Sequence, residues 1–153
     1  MTFCLSIMTY AQTPRDRATE LKEQAQSSLN QKDYIKARYL FKKAYEAFAT
    51  RENYPQAIEC GVQANALYVR ENFYKEGFEL CRDMDQLIWA GEQNQKKVFY
   101  DLRFLVNKER LQMYTALKNP AQAKTQLNKL EETANLAKND SLTEVLLYTK
   151  ANY

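Results

Sequence analysis

Apolar and polar positions follow helical spacing along nearly the whole chain, and one short pattern occurs three times. Its copies read Asp33-Tyr34-x-x-Ala37-x-x-x-Phe41-x-x-Ala44, Phe73-Tyr74-x-x-Gly77-x-x-x-Cys81-x-x-Met84 and Asn119-Pro120-x-x-Ala123-x-x-x-Leu127-x-x-Leu130. In each copy a small residue is followed four and seven places later by residues that are mostly large and apolar. At 3.6 residues per turn those positions share one helix face. Self-similarity over a few tens of residues is the mark of stacked repeats.

The same periodicity predicts seven helices. Thr13-Pro14 reads as an N-cap followed by a first-turn proline, opening a helix that runs to about residue 30. Its inner stripe is Ala18, Leu21, Ala25 and Leu29. A turn at 30–33 leads to a helix over 34–49, with Ala37, Phe41, Ala44 and Phe48 inward. The third helix covers 55–70 with Ala57, Gly61, Ala64 and Tyr68 inward, and the fourth covers 73–90 with Gly91 as its C-terminal cap. The fifth, over 96–118, is expected to be the longest, with Val98, Phe99, Leu102, Leu105, Val106, Met113, Tyr114 and Leu117 along it. Asn119-Pro120 opens a sixth that runs to about 138, and the capping box Ser141-x-x-Glu144 opens a seventh. No period-two strand pattern, low-complexity linker or internal domain boundary interrupts them.

Composition narrows the chemistry. The 153 residues include only three Gly and three Pro, which argues against a loop-rich or all-β chain. Acids and bases are interleaved with a net charge of +3 and no basic block, so no nucleic-acid partner is expected. Histidine is absent. That removes the commonest general base, the nucleophile pairs that depend on it and most metal sites. Cys4, Cys60 and Cys81 lack C-x-x-C spacing, so no metal and no redox motif is expected. Carboxylate pairs such as Glu131-Glu132 and Asp83/Asp85 sit in mixed-charge helical surface and read as solvation. No catalytic residue and no cofactor are expected.

Residues 1–11 are uncharged, mostly apolar and end in Thr9-Tyr10-Ala11 before Gln12, a small-x-small cleavage pattern. They are expected to be the latter part of a secretory signal whose start lies upstream. The other reading is an apolar tail that packs on the first helix or stays loose. The segment is too short to cross a bilayer. Two units follow from this, a signal remnant or tail over 1–12 and a single helical repeat domain over 13–153. The repeats fall at 14–51, 55–91 and 95–138, with a half repeat at 141–153.

Three antiparallel helix pairs with these side chains resemble the tetratricopeptide repeat family. The first copy carries the likeness best: Leu21 and Ala25 in its first helix, then Tyr34, Ala37, Phe41 and Ala44 in its second, all have the expected type. The second copy keeps Tyr68, Tyr74 and Gly77 but places Asn65 where a small residue belongs, and the third keeps Tyr114, Ala123, Leu127 and Leu130 but places Leu111 there. Gly77 follows Ala37 by 40 residues and Ala123 follows Gly77 by 46, against a family period of about 34. The repeats are therefore elongated. In that respect they are similar to repeats in sensor and regulator proteins, including extracytoplasmic parts of bacterial histidine kinases.

The resemblance implies a right-handed α-solenoid that binds a protein or peptide in a groove lined by the first helix of each pair. In this sequence the groove falls on Lys22, Gln26, Leu29 and Asn30, then Val62, Ala66, Val69 and Arg70, then Leu105, Lys108, Gln112 and Thr115. Lys22 with Gln26, and Lys108 with Gln112, each set a cation and an amide one turn apart, suited to a peptide carboxylate or backbone. The family's carboxylate clamp also uses Asn, and the middle repeat here offers Val62 and Ala66 instead, so a full clamp is not expected. Tyr34, Tyr68, Tyr74 and Tyr114 fall at packing positions, whereas Tyr39, Tyr45, Tyr54 and Tyr100 are candidates for exposed stacking. Cys60 and Cys81 are expected as buried thiols, with a disulfide open to them if the chain is exported.

The seventh helix carries Leu142, Val145, Leu146 and Tyr148 with no partner helix after it. It is either a cap or the start of a further repeat, and the expectation is a piece of a longer protein. The function expected is a non-catalytic binding module, the exported sensory or scaffold portion of a bacterial envelope signalling protein in the periplasm. The alternative is a complete intracellular adaptor.

Overall fold

Asp16 caps the first helix of the computed structural model, which describes residues 16–153, by accepting the backbone N–H of Ala18. The expectations for residues 1–12, Cys4 and Thr13-Pro14 lie outside the described residues. Seven helices follow: α1 (Arg17–Asn30), α2 (Tyr34–Thr50), α3 (Tyr54–Arg70), α4 (Tyr74–Gln95), α5 (Tyr100–Ala116), α6 (Pro120–Ala137) and α7 (Asp140–Ala151). No strand occurs among the described residues.

One turn design joins most of them. After α1, α2, α3 and α5 the chain takes three residues, and the middle one is left-handed: Lys32, Glu52, Asn72 and Lys118, with φ of 62°, 57°, 62° and 53°. The third residue then donates its N–H five residues back, as Asp33 does to Ser28 and Asn119 does to Tyr114, both at 2.9 Å. This closes the orphan carbonyls of the preceding helix. In three of the four turns the same residue caps the next helix, through Asp33, Asn53 and Asn119. A three-residue turn of this kind folds each helix back along its predecessor.

Glycine plays no part in these turns. All three glycines lie inside helices where another element comes close, and none has positive φ. A Cβ on Gly77 of α4 would stand 2.7 Å from Met113 Sδ of α5. A Cβ on Gly91 would stand 2.7 Å from Phe99 Cε2 and 2.9 Å from the Tyr54 ring. The expected cap at Gly91 is therefore corrected: α4 runs on to Gln95, Lys96 takes the left-handed cap at φ 49°, and Gly91 makes room for two aromatic rings. The expected long fifth helix is corrected with it. Residues 96–99 are linker, α5 has 17 residues, and α4 with 22 is the elongated element. Asn139, not Ser141, caps α7, because its side chain reaches the Ser141 N–H at 2.9 Å.

The recurring pattern forms the inner face of α2, α4 and α6. Ala37, Phe41, Ala44, Gly77, Cys81, Met84, Ala123 and Leu130 are buried, and Leu127 is half-buried. Ser28 replaces Leu29 at the buried end of the α1 stripe, and Leu29 packs on the core edge. Helices α3, α4 and α5 pack on one another, α6 packs on α5, and α7 on α6. The core divides at α5. Val106 and Met113 join the large cluster of α1–α4, whereas Phe104 and Leu111 join Ala123, Leu130, Ala134 and Leu146 of α6 and α7.

Candidate functional site

The expected groove residues separate into a closed part and an open part. Lys22 Nζ donates to Gln56 Oε1 at 2.8 Å and pairs with Glu59 Oε1 at 2.8 Å, so α3 neutralises the cation of α1. Gln26 donates to Asn30 Oδ1 at 3.1 Å. The Arg70 guanidinium lies 4.0 Å from the Tyr34 ring centroid, a cation–π contact. Val62 and Val69 lie half-buried against the large cluster, and Ala66 is exposed. Of these residues, Lys22 ties α1 to α3 and Arg70 ties α3 to α2, whereas Gln26 and Asn30 engage each other within α1. The middle repeat's Asn65 is fully buried and donates to Glu109 Oε2 at 2.9 Å, across the α3–α5 contact.

The third set is brought together. Lys108, Gln112 and Thr115 line a cleft of about 440 Å³ with Tyr148, Thr149, Asn152 and Tyr153. Leu111 and Ala116 complete its wall. The α5 residues share a face because they recur at three and four positions. Helix α7 forms the other wall, seated by buried Leu146, half-buried Leu142 and a Lys150–Glu131 pair at 2.9 Å. Thr115 Oγ donates to the Leu111 carbonyl at 2.8 Å, which leaves its lone pairs to accept. Asn152 Nδ2 donates to the Tyr148 carbonyl at 2.7 Å, which leaves its Oδ1 to accept. Lys108 forms no ion pair among the described residues, although its charge reaches the neighbouring Glu109 carboxyl. The cleft thus offers one ammonium outside any ion pair, two amides, hydroxyls and an apolar wall. Groups of these types are chemically suited to a carboxylate and to the hydrogen-bonding groups of an extended backbone.

Sequence reasoning missed the α7 half of this cleft. Its signal was partial: the seventh helix was read as a half repeat, but no position within it was assigned to the groove.

The remaining chemistry is quiet. Cys60 and Cys81 are buried free thiols. Burial pushes Cys60 up to about 11, against the pull of Lys22, and Cys81 up to about 12, against the pull of Arg110. Both stay protonated and unreactive at neutral pH. Burial likewise raises Glu109 above the usual carboxylate range, and the hydrogen bond from Asn65 and the charge of Lys108 only partly offset it. Two of the four tyrosines named as candidates for exposed stacking are buried instead: Tyr45 and Tyr54 are 8% and 3% exposed, beside Gly61 and Gly91. Among the described residues no cluster of Cys, Asp and Glu is placed to hold a metal ion. Among them, too, no helix is long and apolar enough to cross a membrane.

Comparison with protein-family models, curated proteins and solved structures finds no match for this chain.

Proposed function

We propose that this chain is a non-catalytic binding module of tetratricopeptide-repeat type, which holds the carboxyl end of a protein or peptide in the cleft between α5 and α7. The observation that carries this reading is the convergence of unpaired Lys108 with Gln112, Thr115, Tyr148 and Asn152 around one apolar-walled cleft. Lys108 takes the terminal carboxylate, the amides of Gln112 and Asn152 take backbone groups, and the Leu111–Tyr148 wall takes an apolar side chain. The paired, repeating helices support the family reading. The place of the module in the cell envelope rests on the signal-like pattern of residues 1–11.

A randomised pool of short peptides with free carboxyl ends, tested beside the same pool amidated, separates this from a bare scaffold. The free-acid pool yields binders, amidation weakens them, and Lys108→Ala reduces their affinity about tenfold. Lys22→Ala leaves binding unchanged, because Lys22 is already paired with Glu59. Equal capture of the acid and amide pools, or equal loss in the two lysine variants, overturns the reading.

A further inference from the structure

The middle helix pair departs from the repeat pattern at Asn65, and two other helices answer that departure. Asn65 of α3 stands where a small residue belongs, and it is fully buried. On α4 it meets Gly77, where a Cβ would stand 3.0 Å from Asn65 Oδ1. On α5 it meets Glu109, 6% exposed, whose Oε2 accepts from Asn65 Nδ2 at 2.9 Å. Glu109 lies between Val106 and Met113, which join the large core cluster, and beside Leu111, which joins the small one. Three helices thus meet around one carboxamide and one carboxyl group where the two cores divide.

That pair is incomplete if Glu109 is ionised. Asn65 Oδ1 is buried and has no donor among the described residues. A carboxylate cannot supply one, because it only accepts, whereas a carboxylic acid carries an O–H. Carboxamide and carboxyl groups are both planar forks. Two of them joined by N–H···O on one side are placed to join by O–H···O on the other.

The charges around the junction favour the acid as well. Among the described residues Glu109 forms no ion pair. The charged residues of α3 and α6, namely Glu59, Arg70, Lys124, Lys129, Glu131 and Glu132, are exposed. From α4 the group facing Glu109 is the Cys81 thiol, which stays protonated, and nearby Arg110 is engaged by Asp85. Lys108 on α5 draws Glu109 down, but burial outweighs it and holds the carboxyl above its usual range.

We infer that Glu109 sits in this junction as the neutral acid, its O–H donating to Asn65 Oδ1, and that loss of the proton opens the α3–α5 contact and loosens α5–α7 from α1–α4. Ionisation leaves a buried charge without a cation and strands Asn65 Oδ1, and water entering between α3 and α5 relieves both. The two cores meet at this seam, so it is where the stack parts with least loss of apolar contact. The inference involves no ligand and does not depend on the α5–α7 cleft.

Two measurements on the full chain test it. Carbon-13 NMR of the assigned glutamate carboxyls is expected to show Glu109 titrating above the exposed glutamates. Trp89, the one tryptophan, lies on α4 and lines a cleft with Arg103 of α5 and Leu136 of α6, so its emission reports how those helices sit together. That emission is expected to shift in the same proton step while the far-UV helix signal stays constant. Glu109→Gln both donates and accepts, as the neutral acid does, and is expected to lose the step and hold the low-pH emission throughout. The proposal is overturned if Glu109 titrates with the exposed glutamates, if Trp89 emission is flat through the Glu109 titration, or if Glu109→Gln shows the parent's step. Loss of helix signal in that step equally overturns it, because the proton would then control folding as a whole. The carboxyl titration needs no variant, so it decides the protonation state even if Glu109→Gln does not fold.

Discussion

The first four helices and the last three are built from the same turn and the same inner-face pattern, yet their interiors differ. Around α1–α4 one cluster runs without interruption from Ala18 to Ile88 and reaches Val106 and Met113 of α5. Beyond it, α5–α7 share a much smaller cluster around Phe104, Leu111 and Leu130. Polar groups mark the divide: the buried Asn65–Glu109 bond crosses from α3 to α5, and Gln126 of α6 is 4% exposed with its Oε1 unpartnered. The surfaces differ in the same sense. Lys22 in the first half is engaged by Gln56 and Glu59, whereas Lys108 in the second forms no ion pair among the described residues. The larger core lies in one half and the α5–α7 cleft in the other, which is a workable division for stacked pairs that each contact only their neighbours.

Equal truncations on the two sides test that division most strongly. Phe41 and Phe104 are each 1% exposed. Replacing either by Ala removes a filled core position and costs about 4 kcal/mol. Phe41→Ala is expected to lower the stability of the whole molecule, read as a shifted urea midpoint. Phe104→Ala is expected to release α5–α7 first, so that amide exchange quickens in α6 and α7 while α1–α3 stay protected. If both variants quicken exchange uniformly, the two halves are one cooperative unit and the contrast drawn from their cores fails.

The polar divide itself provides the next test. Asn65→Leu or Glu109→Leu alone strands a buried partner and costs about 2–3 kcal/mol, while the double variant returns close to the parent. The same pair sets a pH dependence. Because burial raises Glu109 above its unfolded value, the folded chain binds that proton more tightly than the unfolded chain. Its contribution is full below the ordinary carboxylate pKa and is lost as pH rises through the raised value. Glu92 works in the opposite direction. Burial alone would raise it, but the Arg103 hydrogen bonds, the Phe99 N–H and the Arg103 charge outweigh that and hold it low. Its contribution is present above the unfolded carboxylate pKa and is lost as pH falls through the lowered one. Urea midpoints measured across pH for Glu109→Gln should lose the decline on the alkaline side and keep the decline in acid. A profile identical to the parent's would remove Glu109 from the account.

How much of this could be read from the chain depends on what periodicity encodes. Spacing alone gives which residues share a helix face, and so Ala37, Phe41 and Ala44 and their later counterparts were legible as an interior. The cap at Asn119 was legible because a side-chain acceptor and a following proline act locally. Spacing does not give what sits across from a face. Gly91 ends an apolar run and looks like a helix stop, but Tyr54, remote in sequence, and Phe99, folded back from the next linker, make it a contact residue. Lys22 and Lys108 look alike in their own helices, and only the carboxylate carried by α3 at Glu59 separates the closed end of the groove from the open one. The cleft lined by Trp89 of α4, Arg103 of α5 and Leu136 of α6 was invisible for the same reason, since it draws on three helices.

The smallest expected effects bear on what the halves share. Glu52 lies in a turn of the first half and Lys118 in a turn of the second, with φ of 57° and 53°. A side chain in that region is strained by its Cβ, and glycine removes the clash at the cost of a more flexible unfolded chain. Neither side chain caps a helix or forms an ion pair among the described residues, so Glu52→Gly and Lys118→Gly should each gain about 0.5–1 kcal/mol. Thermal denaturation of both variants decides whether the turns are equivalent. Equal gains mean that the repeated turn is a local device, indifferent to the core behind it, and that the halves differ only in packing and surface. A gain at Glu52 without one at Lys118 would mean that the looser half yields at its turns as well, extending the contrast from the interior to the backbone.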